Sequence, residues 1–127
     1  MTQSELQNIS SKKLGIVMTP TKDKFCTFDA YSYDYVVEFK CRRTHYDTQL
    51  IEYKKYKANL DQADESGKEF LYVISTPNGV YVFNVSELRD QGYDFKWEDR
   101  RMPSKTDFSG QYHLDKRVGY IDINHSP

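Results

Sequence analysis

The segment Tyr35 to Arg42 (YVVEFKCR) constrains the possible folds of this chain more than any other. Tyr35, Val37, Phe39 and Cys41 fall on one face and Val36, Glu38, Lys40 and Arg42 on the other, the two-residue period of a β-strand. Only Tyr31 to Asp34 separate it from a second strand-like run, Phe25 to Ala30, so the two read as a hairpin. With Tyr33 and Asp34 at the centre of the turn, Asp29 comes opposite Glu38 and Cys26 opposite Cys41. Two carboxylates then leave one face of neighbouring strands, with the Lys40 ammonium two residues along.

The remaining elements follow from local pattern. Thr2 to Leu14 reads as a helix, with Thr2 and Glu5 at capping-box spacing and Gly15 as its stop. Ile16 to Thr19 is a brief strand ended by Pro20. From Asp47 to Ala63 the period becomes helical: Tyr46, Leu50, Tyr53 and Leu60 make one stripe, with Ile51, Lys55 and Ala58 beside it. Asp61 to Lys68 is a polar loop. Phe70 to Ser75 and Val80 to Val85 are strands around the turn Thr76-Pro77-Asn78-Gly79. Ser86 caps a helical turn running to Gln91 and closed by Gly92, and Tyr93, Phe95 and Trp97 alternate as in a strand. Beyond Pro103 the apolar content is confined to Val118, Tyr120, Ile121 and Ile123. There is no internal repeat and no linker, which predicts a single α/β domain over residues 1–127 with an antiparallel meander and a helical crossover.

Composition narrows the function classes. The chain has 127 residues, 18 Lys+Arg against 19 Asp+Glu and a net charge of −1, which excludes a uniformly basic nucleic-acid coat but not a local patch. No apolar run approaches the roughly 20 residues of a membrane span, and Met1 to Leu14 lacks the apolar core of a signal peptide. Two cysteines and three separated histidines offer neither a disulfide framework nor a zinc site. The expectation is a cytoplasmic protein with two buried free thiols, Cys26 and Cys41. The six glycines form neither a dinucleotide fingerprint nor a phosphate loop.

The Asp29, Glu38 and Lys40 arrangement is the one that carries chemistry. Paired carboxylates suit a hard divalent cation such as Mg²⁺, which takes oxygen ligands, keeps several waters and needs only one or two protein carboxylates. Acid-x-Lys also arises in any amphipathic strand with a solvated charged face. Asp29 in the preceding strand, the apolar run into Glu38 and the basic helix after it separate this case from that one.

With those residues in place, Phe28-Asp29-Ala30 followed by Val36-Val37-Glu38-Phe39-Lys40 resembles the core of the PD-(D/E)XK, or restriction-endonuclease-like, nucleases. The resemblance spans roughly residues 1–85 and implies an α+β fold, an αβββαβ core with a mixed central sheet flanked by helices, here with a C-terminal extension. It implies a DNA phosphodiesterase in which Asp29 and Glu38 bind Mg²⁺ or Mn²⁺, with the Phe39 carbonyl as a third ligand and Lys40 as the catalytic lysine. Glu5, the only acid of the first helix, corresponds to a further metal ligand in many members, although its spacing from Thr2 equally marks a capping box. The family's proline before the first Asp is replaced by Phe28. Leu50 to Lys55 looks like the helix that follows the motif in some phage and bacterial members, which would bring Lys55 toward the site. Related nucleases often act as homodimers.

A binding surface is legible beside this motif. Residues 40–57 hold Lys40, Arg42, Arg43, Lys54, Lys55 and Lys57 against Asp47 and Glu52, a local charge of +4 that leaves −5 for the rest. Phosphate contacts would therefore adjoin the metal. Six of the 11 tyrosines lie between positions 31 and 56, where they suit either stacking on bases or ordinary packing. Lys96, Arg100, Arg101 and Lys105 read instead as a solvated loop diluted by Glu98 and Asp99. The principal expectation is a metal-dependent deoxyribonuclease. The alternative is an inactive nuclease-fold module that binds nucleic acid or a protein partner.

Overall fold

A computed structural model describes residues 1–22, 26–103 and 113–127. Helix α1 (Gln3–Leu14) opens as its sequence dictates: the Thr2 hydroxyl accepts from the Glu5 N–H at 3.1 Å and donates to Glu5 Oε1 at 3.1 Å. Gly15 ends it in the left-handed conformation, φ 65°. The strand expected over Ile16 to Thr19 shrinks to β1 (Thr19–Pro20), displaced so that Pro20 is inside it. Val17 is 86% exposed and packs against nothing that would hold a strand there.

The hairpin register is as expected, with Ala30 opposite Val37 and Tyr31 opposite Val36. Regular pairing is shorter than Phe25 to Ala30, however: β2 covers only Ala30–Tyr31, and Phe25 lies outside the described residues. The cause is Asp29, whose side-chain Oδ2 accepts the Phe39 N–H at 2.8 Å and so takes the place of a backbone partner. Strand β3 (Tyr35–Cys41) is buried from Val36 to Phe39 on both faces rather than presenting a solvated one.

The largest departure follows. Residues expected to start a helix at Asp47 form strand β4 (Thr48–Glu52), and helix α2 runs from Tyr53 to Ser66. Leu50 to Glu52 therefore belong to a strand, because Ile51 pairs with Gly119 and Leu50 with Tyr120 far along the chain. Such a partner is invisible to a local periodicity reading and overrides it. At its other end α2 absorbs most of the expected loop Asp61 to Lys68. Ala63 is fully buried, Arg89 clamps Asp64 at 2.7 Å, and Gly67 supplies the left-handed stop.

Strand β5 (Glu69–Thr76) returns parallel to β3, in register from Tyr35–Glu69 to Cys41–Ser75, and β6 (Gly79–Asn84) pairs antiparallel with it through the Pro77-Asn78 turn. Helix α3 (Val85–Asp90) is capped by Asn84, not Ser86, whose hydroxyl instead accepts the Phe70 N–H at 2.9 Å. Tyr93 to Trp97 is not a strand: Lys96 has φ 55°, and the rings of Tyr93, Phe95 and Trp97 pack on one another. Strands β7 (Glu98–Pro103) and β8 (His113–Asp122) follow, then a 3₁₀ turn at Ile123–His125. Arg100 and Arg101, expected in a loop, stand on β7, while Lys105 lies outside the described residues.

Among the described residues two sheets result: a mixed sheet ordered β1-β2-β3-β5-β6 and an antiparallel sheet ordered β4-β8-β7. One face of the mixed sheet, with Val37, Phe39, Leu71 and Val73, packs on Leu6 of α1. The other, with Val36, Phe70, Tyr72 and Ile74, packs on Leu60 and Ala63 of α2 and on Ile51 and Ile121 of the second sheet. No helix among the described residues is long and apolar enough to cross a membrane. The cysteines are free, but Cys41 is exposed and Cys26 half-buried, contrary to the expected buried pair, since β3 leaves the core at its C-terminal end.

Gly119 fixes how closely the second sheet approaches the aromatic cluster. A Cβ there would stand 2.8 Å from the Trp97 ring and 2.9 Å from Phe95 Cβ. Gly119→Ala should lower the unfolding free energy by about 1–3 kcal/mol, read as a lower urea midpoint with an unchanged slope.

Candidate active site

Glu38 and Lys40 leave β3, and Arg42 follows just past its end, on the face that meets α2 and the second sheet. The Glu38 carboxylate is buried, 2% exposed for the residue, with Oε1 3.4 Å from Lys55 Nζ and Oε2 accepting from Asn59 Nδ2 at 3.5 Å. Asn59 is itself fully buried and accepts a hydrogen bond from the Thr27 hydroxyl. Lys55 and Asn59 are four residues apart on α2, one turn on the same helix face. Opposite Glu38, Asp29 has one carboxylate oxygen engaged by the Phe39 N–H. In an extended strand the N–H and C=O of one residue leave the same edge, so the Phe39 carbonyl also points to the Asp29 side.

Electrostatics follow from this crowding. Burial pushes the Glu38 carboxyl above the ordinary glutamate value, against the attraction of Lys55 and Lys40, and Asp29 adds to the rise. Burial, then the like charge of Lys55, pulls the Lys40 ammonium below the ordinary lysine value. Burial would lower Lys55 too, but Glu38, its contact with Lys40 and Glu52 outweigh it and raise that group. Glu52 is partly desolvated, yet its hydrogen bond to Lys116 at 3.0 Å and the surrounding cations bring it below the ordinary value. Burial, then the Glu38 charge, raises the Tyr72 phenol.

Glu38, Lys40, Arg42, Glu52, Lys55 and Tyr72 enclose a cavity of about 40 Å³. Arg42 is held there by the Leu50 carbonyl at 3.4 Å and the Tyr72 hydroxyl at 3.3 Å. Among the described residues no three His, Cys, Asp or Glu side chains converge. A hard cation needs no such set: two carboxylates and a carbonyl, completed by water, match the donors it takes. Asp29, Glu38 and the Phe39 carbonyl supply that chemistry.

The other sequence-derived residues divide. Lys55 reaches Glu38. Arg43 and Lys54 are exposed, and Lys57 pairs with Asp61 at 3.1 Å on the surface. Glu5 is exposed and bonded to Thr2, and α1 packs on the Val37 and Phe39 face of β3, opposite the one that carries Glu38. Of the clustered tyrosines, Tyr53 and Tyr56 pack against Trp97, while Tyr33 and Tyr46 are 93% and 65% exposed. Sequence reading missed Asn59, Glu52, Tyr72 and Lys116. The spacing of Asn59 from Lys55 was the available signal for the first, whereas the others depend on strand pairing.

No family model and no curated protein matches this sequence. Among solved structures, the chain is similar to a Holliday junction resolvase from the archaeal hyperthermophile Archaeoglobus fulgidus, with a TM-score of 0.56 at 14% identity over 99% of this chain and 91% of the resolvase. The fold is thus of the restriction-endonuclease-like class, with its mixed sheet and flanking helices.

The Glu52–Lys116 contact fastens β8 to the floor of the cavity. A carboxyl held below its unfolded value contributes stability that is present above that unfolded value, near 4.5, and lost as pH falls through the folded one. Lys116→Met should therefore destabilise the protein by about 1 kcal/mol at pH 7. In urea unfolding its deficit should shrink as pH drops below the unfolded glutamate value and vanish below the folded one; a deficit independent of pH would refute the linkage.

Proposed function

We propose that this chain is a divalent-metal-dependent nuclease that hydrolyses DNA phosphodiester bonds, with Asp29, Glu38 and Lys40 as its catalytic residues. The carrying observation is the register that sets Asp29 beside Phe39 and Glu38, with Lys40 on the same face two residues on. The likeness in fold to a protein that resolves DNA junctions supports DNA as the substrate class.

Asp29, Glu38 and the Phe39 carbonyl would hold Mg²⁺ or Mn²⁺. Such an ion, when bound, polarises the phosphodiester and acidifies a coordinated water. Asn59 and Lys55 fix the Glu38 carboxylate, so its direction is set before substrate arrives. Lys40 Nζ holds the attacking water and meets the charge that develops on the phosphorane oxygens. Arg42, anchored on Leu50 and Tyr72, faces the neighbouring phosphate.

The second reading is an inactive binding module, and the ion pair between Lys55 and Glu38 favours it, because an ammonium already balances the buried carboxylate. Metal and cleavage together separate the two. Asp29→Asn and Lys40→Met should each reduce Mg²⁺-dependent DNA cleavage by about 10²-fold or more while melting within a few degrees of wild type. Wild-type cleavage by either variant rejects the residue assignment. Saturating Mg²⁺ or Mn²⁺ should also raise the wild-type melting temperature, by the linkage that stabilises any native-only binder. Absence of both cleavage and shift would select the binding module.

A further inference from the structure

The small cavity around Lys40 does not stand alone. Through Arg42, Leu50 and Met102 it adjoins a groove of about 410 Å³ whose rim carries Arg42, Tyr46, Arg100 and Arg101. Through Glu52 and Lys55 it adjoins a second groove, of about 630 Å³, whose rim carries Lys54, Lys116 and Arg117. Among the described residues the first groove is lined by three arginines and by no acid. The second has Glu52 and Asp115 against four cations, and Glu52 is already neutralised by Lys116. The second sheet contributes to all three spaces. Leu50 and Glu52 of β4 line the space around Lys40, while Arg100 of β7 lies directly opposite Lys116 of β8, one in each groove.

We infer that the sheet β4-β8-β7 is the wall of one continuous track for a nucleic-acid strand, which enters by the Arg42–Arg100–Arg101 groove, crosses Lys40 and leaves past Lys54 and Arg117. This rests on the nuclease reading and names its substrate class: a single strand followed on both sides of the attacked phosphate, with no requirement for a free end. The chemistry is that of a backbone-tracking site. Arginines present planar forks to phosphate oxygens. Tyr46, 65% exposed on the rim of the arginine groove, offers a face on which a base can stack. Arg100 is oriented by the Tyr120 hydroxyl at 3.4 Å, and that hydroxyl is anchored in turn on Glu98 at 2.6 Å. Because Arg100 and Arg101 are exposed, their removal leaves the core intact.

The test is binding of a fluorescent single-stranded oligonucleotide by the full chain in Ca²⁺, followed across salt concentrations, with no reliance on cleavage. Arg100→Ala combined with Arg101→Ala should weaken binding by at least tenfold and flatten the log–log salt slope by about 1.4, two phosphates at roughly 0.7 each for a single strand. Lys54→Ala with Arg117→Ala should act in the same direction. Tyr46→Ala should weaken binding about five- to a hundredfold without changing the slope, the signature of lost stacking rather than lost charge. A circular oligonucleotide of equal length should bind as tightly as the linear one. Tight wild-type binding with unchanged affinity and slope in the Arg100/Arg101 variant overturns the track while leaving the nuclease reading in place, as does failure to bind the circle. Absence of wild-type binding to any single strand or duplex overturns both.

Discussion

The burial of one carboxylate organises this molecule. Glu38 sits in the middle of a strand covered on both faces, where an uncompensated anion is costly. Its neighbours answer that cost: Lys55 and Asn59 from one turn of α2, Thr27 behind Asn59, and Lys40 along the strand. Helix α2 cannot slide or rotate against β3 without breaking this arrangement. The parallel pairing of β3 with β5 depends on the same helix to carry the chain across. Polar chemistry at the site and the topology of the sheet are therefore one constraint.

The parts of the fold that were legible in the sequence are those decided locally. The Thr2–Glu5 box, the Gly15 stop, the Ala30–Val37 register and the Pro77-Asn78 turn each depend on residues a few positions apart. The parts that were not legible depend on remote partners. Thr48 to Glu52 carries a helix-like spacing of Leu50, Tyr53 and Leu60 but pairs with β8, and Ser86 loses its cap role because Phe70 N–H needs an acceptor. The same division runs through the site. Asp29, Glu38, Lys40 and Lys55 are brought together by a hairpin and the helix after it, which the pattern foretold. Glu52, Tyr72, Lys116 and the β7 arginines arrive through long-range pairing, and Arg100 and Arg101 could only look like a loop until β7 had a partner.

The charge distribution acquires a different meaning in three dimensions. Along the chain the positive charge is concentrated in residues 40–57. In space that stretch is joined by Arg100, Arg101, Lys116 and Arg117 from a second sheet. The near-zero sum therefore conceals a local concentration of cations around the grooves.

The pairing of β4 with β8 also sets an order of assembly. Thr48 finds its partner at Asp122, so the wall over Glu38 and Lys40 closes only when β8 has been made and threaded alongside an element synthesised much earlier. During vectorial synthesis the hairpin that carries Asp29, Glu38 and Lys40 exists well before that wall, with the cavity around Lys40 still open on that side. Closure of that side of the cavity thereby waits on β8, an order that follows from topology alone.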